Sequence, residues 1–116
     1  MIIILKEIFA IKGRLNRKKY LIYWLFVFIF PLIVLFIGYS LDIYILKLFY
    51  ALCLLLELIA HICLAIRRLQ DLDRNGAIAF ALLIPVVSFI LQFYLFTVKG
   101  TEGYNSYGSD PLEKSS

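Results

Sequence analysis

The sequence predicts an all-α integral membrane protein, in which a short interfacial N-terminal helix precedes three transmembrane helices. Of its 116 residues 63% are apolar, and the mean hydropathy is +0.91. The apolar residues form three long runs that carry few charges, and most basic residues lie outside those runs. A chain of this length forms one domain, whose interior is too small to bury three such runs away from lipid.

Positive charge is distributed unevenly along the chain. Six basic residues precede the first long run, and three more lie between the second and the third. Because cytoplasmic segments of membrane proteins are rich in Lys and Arg, the N-terminus and the second connection are predicted to be cytoplasmic. Basic residues beside bilayer-length segments favour anionic lipid headgroups as partners and argue against nucleic acid. The nine residues are Lys6, Lys12, Arg14, Arg17, Lys18, Lys19, Arg67, Arg68 and Arg74.

Residues 1–15 are predicted to form an interfacial amphipathic helix and a basic cluster. Ile4, Ile8 and Ile11 recur at helical spacing. About a dozen residues cannot cross the hydrocarbon core, which needs about 20 helical residues. No basic region precedes this stretch and no small-residue cleavage site follows it, so a signal peptide is not predicted.

Residues 16–98 are predicted to form the transmembrane domain, and residues 99–116 a polar tail. Asn16 is placed to cap the first span, and Pro31 should kink it. The connection after the first span is so short that the first two spans must form an antiparallel hairpin. Three spans with a cytoplasmic N-terminus would put the tail on the periplasmic or extracellular side. The spans are predicted at about 20–41, 43–66 and 77–98.

A polar face inside the second span is the first candidate site. Glu57 and His61 are four residues apart and share one face of the helix, which continues to Arg68. A carboxylate near the middle of a bilayer is costly unless it is neutral or paired. One interpretation is a proton or ion relay along this face, and the other is a Glu–His pair that holds the span against its neighbours.

The polar connection before the third span is the second candidate site. Arg67 or Arg68 can pair with Asp71 on the surface of a continued helix. Asn75-Gly76 indicates a turn. The connection either sets the orientation of the protein or docks acidic headgroups or a cytoplasmic partner. The candidate docking loop comprises Arg67, Arg68, Asp71, Asp73, Arg74 and Gly76.

The sequence predicts no enzyme and no cofactor. It contains no phosphate-binding glycine loop, no His-Glu-x-x-His metal motif and no nucleophile elbow. With His61 as its single His, the chain offers at most two or three metal ligands on one helix, so no metal site is predicted. Cys53 and Cys63 lie about 15 Å apart along that helix, too far for a disulfide.

Three segments at the predicted span boundaries resemble the small bacterial inner-membrane proteins catalogued as domain of unknown function 805. The first is residues 13–20, with Gly13, Arg14 and Arg17 as its motif residues. The second is residues 67–76, and the third is residues 100–111, with Gly, Asn, Tyr-Gly and Asp-Pro in order. The resemblance implies membrane location and a shared helical fold, and it implies no activity.

The chain departs from the family pattern at three positions. Gln70 stands where the family usually has His, and Ala77 stands where an aromatic residue is usual. Lys19 replaces an acidic residue that would complete a capping box with Asn16. A role that depends on a titrating group at Gln70 is therefore not expected.

The sequence therefore predicts a multi-pass protein of the bacterial inner membrane that acts as a non-enzymatic interaction, accessory or regulatory protein. Its expected partners are anionic lipid headgroups and either another membrane protein or further copies of itself. The alternative is an oligomeric pathway for protons, ions or small solutes that uses Glu57 and His61. A membrane-permeabilising protein is a third hypothesis.

Overall fold

The computed structural model describes residues 2–111, and the part of the chain it describes is all-helical, as predicted. Two of its helices, Arg17–Ser40 and Tyr44–Asp71, are long and apolar enough to cross a membrane. Residue 1 of the predicted N-terminal helix and residues 112–116 of the predicted tail lie outside the described residues. The elements are α1 (Ile2–Phe9), α2 (Arg17–Ser40), α3 (Tyr44–Asp71), a 3-10 helix (Gly76–Leu83) and α4 (Pro85–Thr97).

Helices α2 and α3 form the antiparallel hairpin predicted from their short connection. The side chain of Asn16 caps α2 by accepting a hydrogen bond from the Lys19 backbone N–H at 2.8 Å. At the other end of α2, the Ile43 N–H donates to the Gly38 carbonyl at 2.8 Å. Gly38 is buried, and a Cβ there would lie 3.3 Å from the Leu46 Cβ. A small residue at this position therefore lets the two helices approach closely.

The hairpin has two different ends. The connector end comprises residues 38–47 and is open to solvent or headgroups. The charged end comprises residues 11–18, 67–76 and 99–111, which contact one another.

Helix α1 packs along the last turns of α3. Arg67 Nη1 donates to the Glu7 carbonyl at 2.9 Å, and Gln70 Nε2 donates to the Ile11 carbonyl at 3.3 Å. Ile8 is fully buried in the core. Since Glu7 lies beside Arg67 and Ile11 beside Gln70, α1 and α3 run in the same direction.

The predicted third span is divided into two arms. Residues 76–83 form a 3-10 helix, and α4 begins at Pro85, whose ring and missing N–H favour the first turn of a new helix. The arms are about 16 Å and about 20 Å long by their residue rises. A third transmembrane helix is therefore not confirmed.

The first arm begins, and the second arm ends, at the charged end of the hairpin. A Cβ on Gly76, where the first arm begins, would lie 2.7 Å from Ile66 Cγ2 of α3. Where the second arm ends, Arg17 Nη1 at the start of α2 donates to the Thr97 carbonyl at 2.9 Å. The polypeptide thus leaves and returns to the same end. It forms a helical hairpin too short to cross the hydrocarbon core, which is about 30 Å thick.

The tail lies at the charged end, next to the N-terminal basic cluster. The Thr101 N–H donates to the Asp71 carbonyl at 2.8 Å, and the Asn105 side chain donates to the Gln70 carbonyl at 3.0 Å. The prediction of a tail on the periplasmic or extracellular side depends on residues 77–98 crossing the membrane as one span, and that crossing is not confirmed.

Candidate functional site

The charged node consists of Arg14, Arg68 and Asp71, whose side chains are almost fully buried. The side-chain exposures are 2% for Arg14, 0% for Arg68 and 5% for Asp71. Arg14 Nε donates to Asp71 Oδ1 at 3.0 Å, and Arg68 Nη1 donates to Asp71 Oδ2. One carboxylate therefore faces two guanidinium groups, and buried ions of this kind are stable only when their remaining polar atoms are also paired.

Arg68 uses its other donors on the carbonyls at the end of α4. Its Nε donates to the Leu95 carbonyl at 2.9 Å, and Nη2 donates to the Val98 carbonyl. Nη1 also reaches the Leu15 carbonyl at 3.3 Å. The last carbonyls of a helix lack partners within the helix and carry its negative dipole end, so a buried cation stabilises them. Arg68 thereby ties α3 to the end of the second arm.

Arg14 holds the tail in the same way. Its Nη1 donates to the carbonyls of Gly103 and Gly108, the latter at 3.1 Å, and its Nη2 donates to the Thr101 carbonyl. The tail chain therefore curves around one guanidinium. Gly100 lies directly on Asp71, because a Cβ at Gly100 would be 2.0 Å from Asp71 Oδ2. No larger residue fits there unless the tail moves.

The connection after α3 is a Schellman turn. The Arg74 N–H donates to the Leu69 carbonyl at 2.8 Å, and the Asp73 N–H donates to the Gln70 carbonyl at 3.1 Å. Asp73 takes the left-handed position, with φ of 59°, where glycine is usual. Its Oδ1 accepts the Ser106 N–H at 3.1 Å. The turn is thus tied to the tail as well.

Most residues of the predicted docking loop are buried and form contacts within the protein. Arg67 is buried and reaches Glu7, and Arg68 forms the predicted pair with Asp71 inside the node. Gly76 is also buried, against α3. Asp73 and Arg74 remain exposed. A ligand or partner could therefore touch these two without unfolding the node.

The structure keeps two members of the predicted polar face together and separates the third. His61 Nδ1 lies 3.9 Å from Glu57 Oε2, beyond hydrogen-bond distance. The His61 ring stacks on the Trp24 ring at 5.1 Å between centroids. Among the described residues, the side-chain hydrogen bonds of Arg68 go to the node and to backbone carbonyls, and none joins it to His61.

Glu57 lies in an apolar groove between α1, α2 and α3. Trp24 Nε1 donates to Gln92 Oε1 at 3.1 Å, which links α2 and α4 beside the His61 ring. The groove has a volume of about 130 Å³. Within residues 2–111, no group of three or more potential ligands lies close enough to hold a metal ion. The groove is lined by apolar residues apart from Glu57 and includes Leu5, Ile8, Phe26, Phe30 and Cys53.

A contrasting ion pair lies at the connector end. Lys47 Nζ donates to Asp42 Oδ1 at 2.6 Å, and the Asp42 side chain is 87% exposed. That hydrogen bond, together with the positive charge of Lys47, lowers the pKa of the Asp42 carboxyl from its ordinary value. Asp42 also takes a left-handed backbone conformation, with φ of 52°.

Sequence reasoning missed that the three boundary segments meet. Arg14 comes from the first segment, Arg68 and Asp71 from the second, and Gly100 from the third. The sequence did contain a signal that these segments could meet, because they carry complementary groups: Arg side chains without a local acidic partner, a carboxylate and a glycine-rich backbone. A predicted third crossing separated the third segment from the other two.

The fold and the node define a class: an all-helical membrane protein whose buried charges brace one end of a helical hairpin. The chain belongs to the family described as "Protein of unknown function (DUF805)", whose model matches residues 8–109. No enzymatic family is indicated.

The chain is similar over most of its length to a protein of the Escherichia coli inner membrane. Inner membrane protein YhaI of Escherichia coli K12 is 34% identical over 113 residues, which cover 93% of this chain and 91% of the relative. The protein of that name from Escherichia coli O157:H7 matches to the same extent. No solved structure matches. The name of these relatives and the two long apolar helices support location in the bacterial inner membrane.

Proposed function

We propose that the chain is a non-enzymatic interaction protein of the bacterial inner membrane, with α2 and α3 as its spans and residues 76–97 as a re-entrant hairpin. In this proposal the charged end, including the tail, is cytoplasmic. The observation that carries it is the charged node, which joins three segments of the chain into one rigid polar cap.

Helix lengths and surface chemistry support this membrane placement. Helices α2 and α3 are 24 and 28 residues long, about 36 Å and about 42 Å, enough to cross the hydrocarbon core. The re-entrant hairpin exposes large apolar side chains such as Phe89 and Phe93. Such residues are stable in contact with lipid, and the basic residues of the charged end favour the cytoplasmic side.

The exposed part of the cap is suited to binding a protein. Arg74, Lys99 and Glu102 are exposed charged residues, and Tyr104 is 81% exposed. Tyr and Arg are enriched at protein interfaces because they combine apolar area with hydrogen-bonding groups. The tail that carries Tyr104 is held by Arg14 and Asn105, so little ordering entropy would oppose binding.

Cysteine labelling tests the membrane placement. In a background with Cys53→Ala and Cys63→Ala, single cysteines are placed at Arg74, Tyr104 and Tyr44. A membrane-impermeant maleimide added to intact spheroplasts should label only the cysteine at Tyr44, whereas inside-out vesicles should expose the other two. Opposite labelling of the Arg74 and Tyr104 positions would restore a third crossing and contradict the proposal.

Affinity capture in mild detergent tests the interaction. We expect the double variant Arg74→Ala with Tyr104→Ala to lose co-purifying proteins that the native chain retains. The matched control, Asp42→Ala with Tyr44→Ala, removes an acidic residue and a tyrosine from the connector end and should retain them. Mass measurement of the intact complex separates a heterologous partner from further copies of the chain. Equal capture by both variants would refute docking at the cap.

A proton or ion pathway is the second candidate, and the position of Glu57, in the wall of an apolar groove and 3.9 Å from His61, favours it. A path along this face would have to reach the membrane surface without Arg68, because the donors of Arg68 are used by Asp71 and by backbone carbonyls. The hypothesis predicts that Glu57→Gln abolishes flux into liposomes while assembly is preserved. Flux at the native rate in that variant would eliminate it.

A further inference from the structure

We propose that a pocket at the charged end binds the phosphodiester of an anionic lipid headgroup. The pocket has a volume of about 200 Å³ and lies between the start of α2 and the start of the tail. Its lining is Asn16, Arg17, Lys18, Asp71, Lys99, Gly100, Thr101 and Asp110. It thus combines three basic side chains with a helix N-terminus.

Three basic residues line the pocket. Arg17 Nη1 donates to the Thr97 carbonyl at the end of α4. Lys18 and Lys99 are exposed, and the surface pair of Lys99 with Glu102 leaves it accessible to a ligand. Helix α2 begins at Arg17, and the first N–H groups and positive dipole end of a helix favour phosphate.

The carboxylates of the lining are engaged. Both oxygens of Asp71 accept hydrogen bonds from the two guanidinium groups of the node. Asp110 Oδ2 accepts the Gly103 N–H at 3.0 Å. Arg14 and Arg68 contribute positive charge behind the wall of the pocket, so the cations around it outnumber the carboxylates even when Glu102, 3.7 Å from Lys99, is counted. The net field favours an anion.

The apolar surroundings favour a lipid over a soluble phosphate compound. Leu21 is one turn after Arg17 on the same face of α2 and is 46% exposed. Phe93 is one turn before Thr97 on the same face of α4 and is 72% exposed. A headgroup phosphate in the pocket would leave its acyl chains beside these side chains. Basic pockets between membrane helices on the cytoplasmic side are a known form of site for anionic lipids.

The test measures lipids retained by the full-length protein. The protein is purified in mild detergent with equal amounts of phosphatidylglycerol and phosphatidylcholine, and the intact complexes are weighed by mass spectrometry. We expect preferential retention of phosphatidylglycerol, reduced about 30-fold in affinity by Lys18→Gln with Lys99→Gln. The control pair, Lys12→Gln with Lys19→Gln, removes the same charge from exposed residues outside the pocket and should leave retention unchanged.

Equal loss of phosphatidylglycerol in both pairs would overturn the proposal, because retention would then reflect overall charge. A competition arm with glycerol 3-phosphate distinguishes the source of the phosphate. If that soluble compound displaces the lipid at similar concentration, the assignment to a lipid is wrong. The proposal rests on the membrane placement proposed above, whose failure the cysteine labelling would report separately, whatever lipid is retained.

Discussion

The turns after α2 and α3 share one backbone design and have opposite surroundings. In each turn an Asp takes the left-handed position, Asp42 in one and Asp73 in the other. In each turn an N–H closes on a carbonyl five residues earlier, from Ile43 to Gly38 and from Arg74 to Leu69. The connector end stays bare, whereas the charged end is covered by α1, the re-entrant hairpin and the tail.

The structural role of an Asp at each end depends on how deeply its carboxylate is buried and on which cations contact it. Asp42 pairs with Lys47 at the surface, where solvent competes for both groups. Asp71 pairs with two Arg residues out of reach of solvent, where an unpaired ion is costly. Asp42 and Asp71 thus have different structural roles, although each has a cationic partner only a few residues away in the sequence.

The largest effect is expected from Asp71→Asn. The substitution keeps the shape but leaves two buried guanidinium groups without a counter-ion, so the free energy of unfolding should fall by about 3–5 kcal/mol. Denaturant titration in detergent micelles, followed by circular dichroism, measures the change. Native stability in this variant would show that the node does not brace the fold.

The second largest effect is expected from adding a methyl group to a glycine at the charged end, compared with the same change at the connector end. Gly100→Ala must displace Asp71 or the tail, since the new Cβ would lie 2.0 Å from Oδ2. Overpacking of this kind costs about 1–3 kcal/mol. Gly38→Ala, with its nearest contact at 3.3 Å, should cost less. Faster proteolysis of the tail is expected in the Gly100 variant alone, and the reverse order of effects would contradict the packing described here.

A smaller effect is expected from Asp73→Ala. The Ser106 N–H loses its acceptor, and the left-handed conformation becomes less favourable without a polar side chain. We expect a loss of about 1 kcal/mol and faster hydrogen exchange at the Ser106 amide. Unchanged exchange at Ser106 would mean that this bond does not hold the tail.

The smallest effect is expected at the Asp42–Lys47 pair. Because the pKa of Asp42 is lower in the folded protein than in the unfolded chain, the pair stabilises the fold above the unfolded value. That contribution is lost as pH falls through the folded value, below about pH 4. Melting curves of the native chain and Lys47→Gln should differ slightly at pH 7 and by less as the pH falls below about 4. A larger gap at acidic pH would contradict the sign.

The sequence was sufficient for those features that depend on local pattern. The periodicity, the Asn16 cap and the short connection at Gly38 predict α1, α2 and α3, and the spacing of Arg68 and Asp71 predicts their pair. The helical hairpin formed by residues 76–97 could not be predicted from local sequence pattern. An apolar stretch of 22 residues divided at Pro85 has the composition of a span. The contacts of Gly76 and Thr97 show that the first arm begins and the second arm ends at the same end of the α2–α3 hairpin.

The site was predicted only in part for a related reason. Arg14 and Asp71 are 57 residues apart, and no local rule pairs them. Tail carbonyls as partners of Arg14 carry no sequence signature, because any residue has a carbonyl. The contact of Gly100 with Asp71 was not predicted either, because a glycine in a polar segment is also typical of a turn.

The wrapping of the tail around Arg14 has a consequence for biosynthesis. Synthesis proceeds from the N-terminus, so Arg14, Arg68 and Asp71 enter the membrane interface before the carbonyls of Thr101, Gly103 and Gly108 exist. Until then only water can satisfy the Nη1 and Nη2 groups of Arg14. The tail is therefore the segment that completes the node, after both long helices have been made.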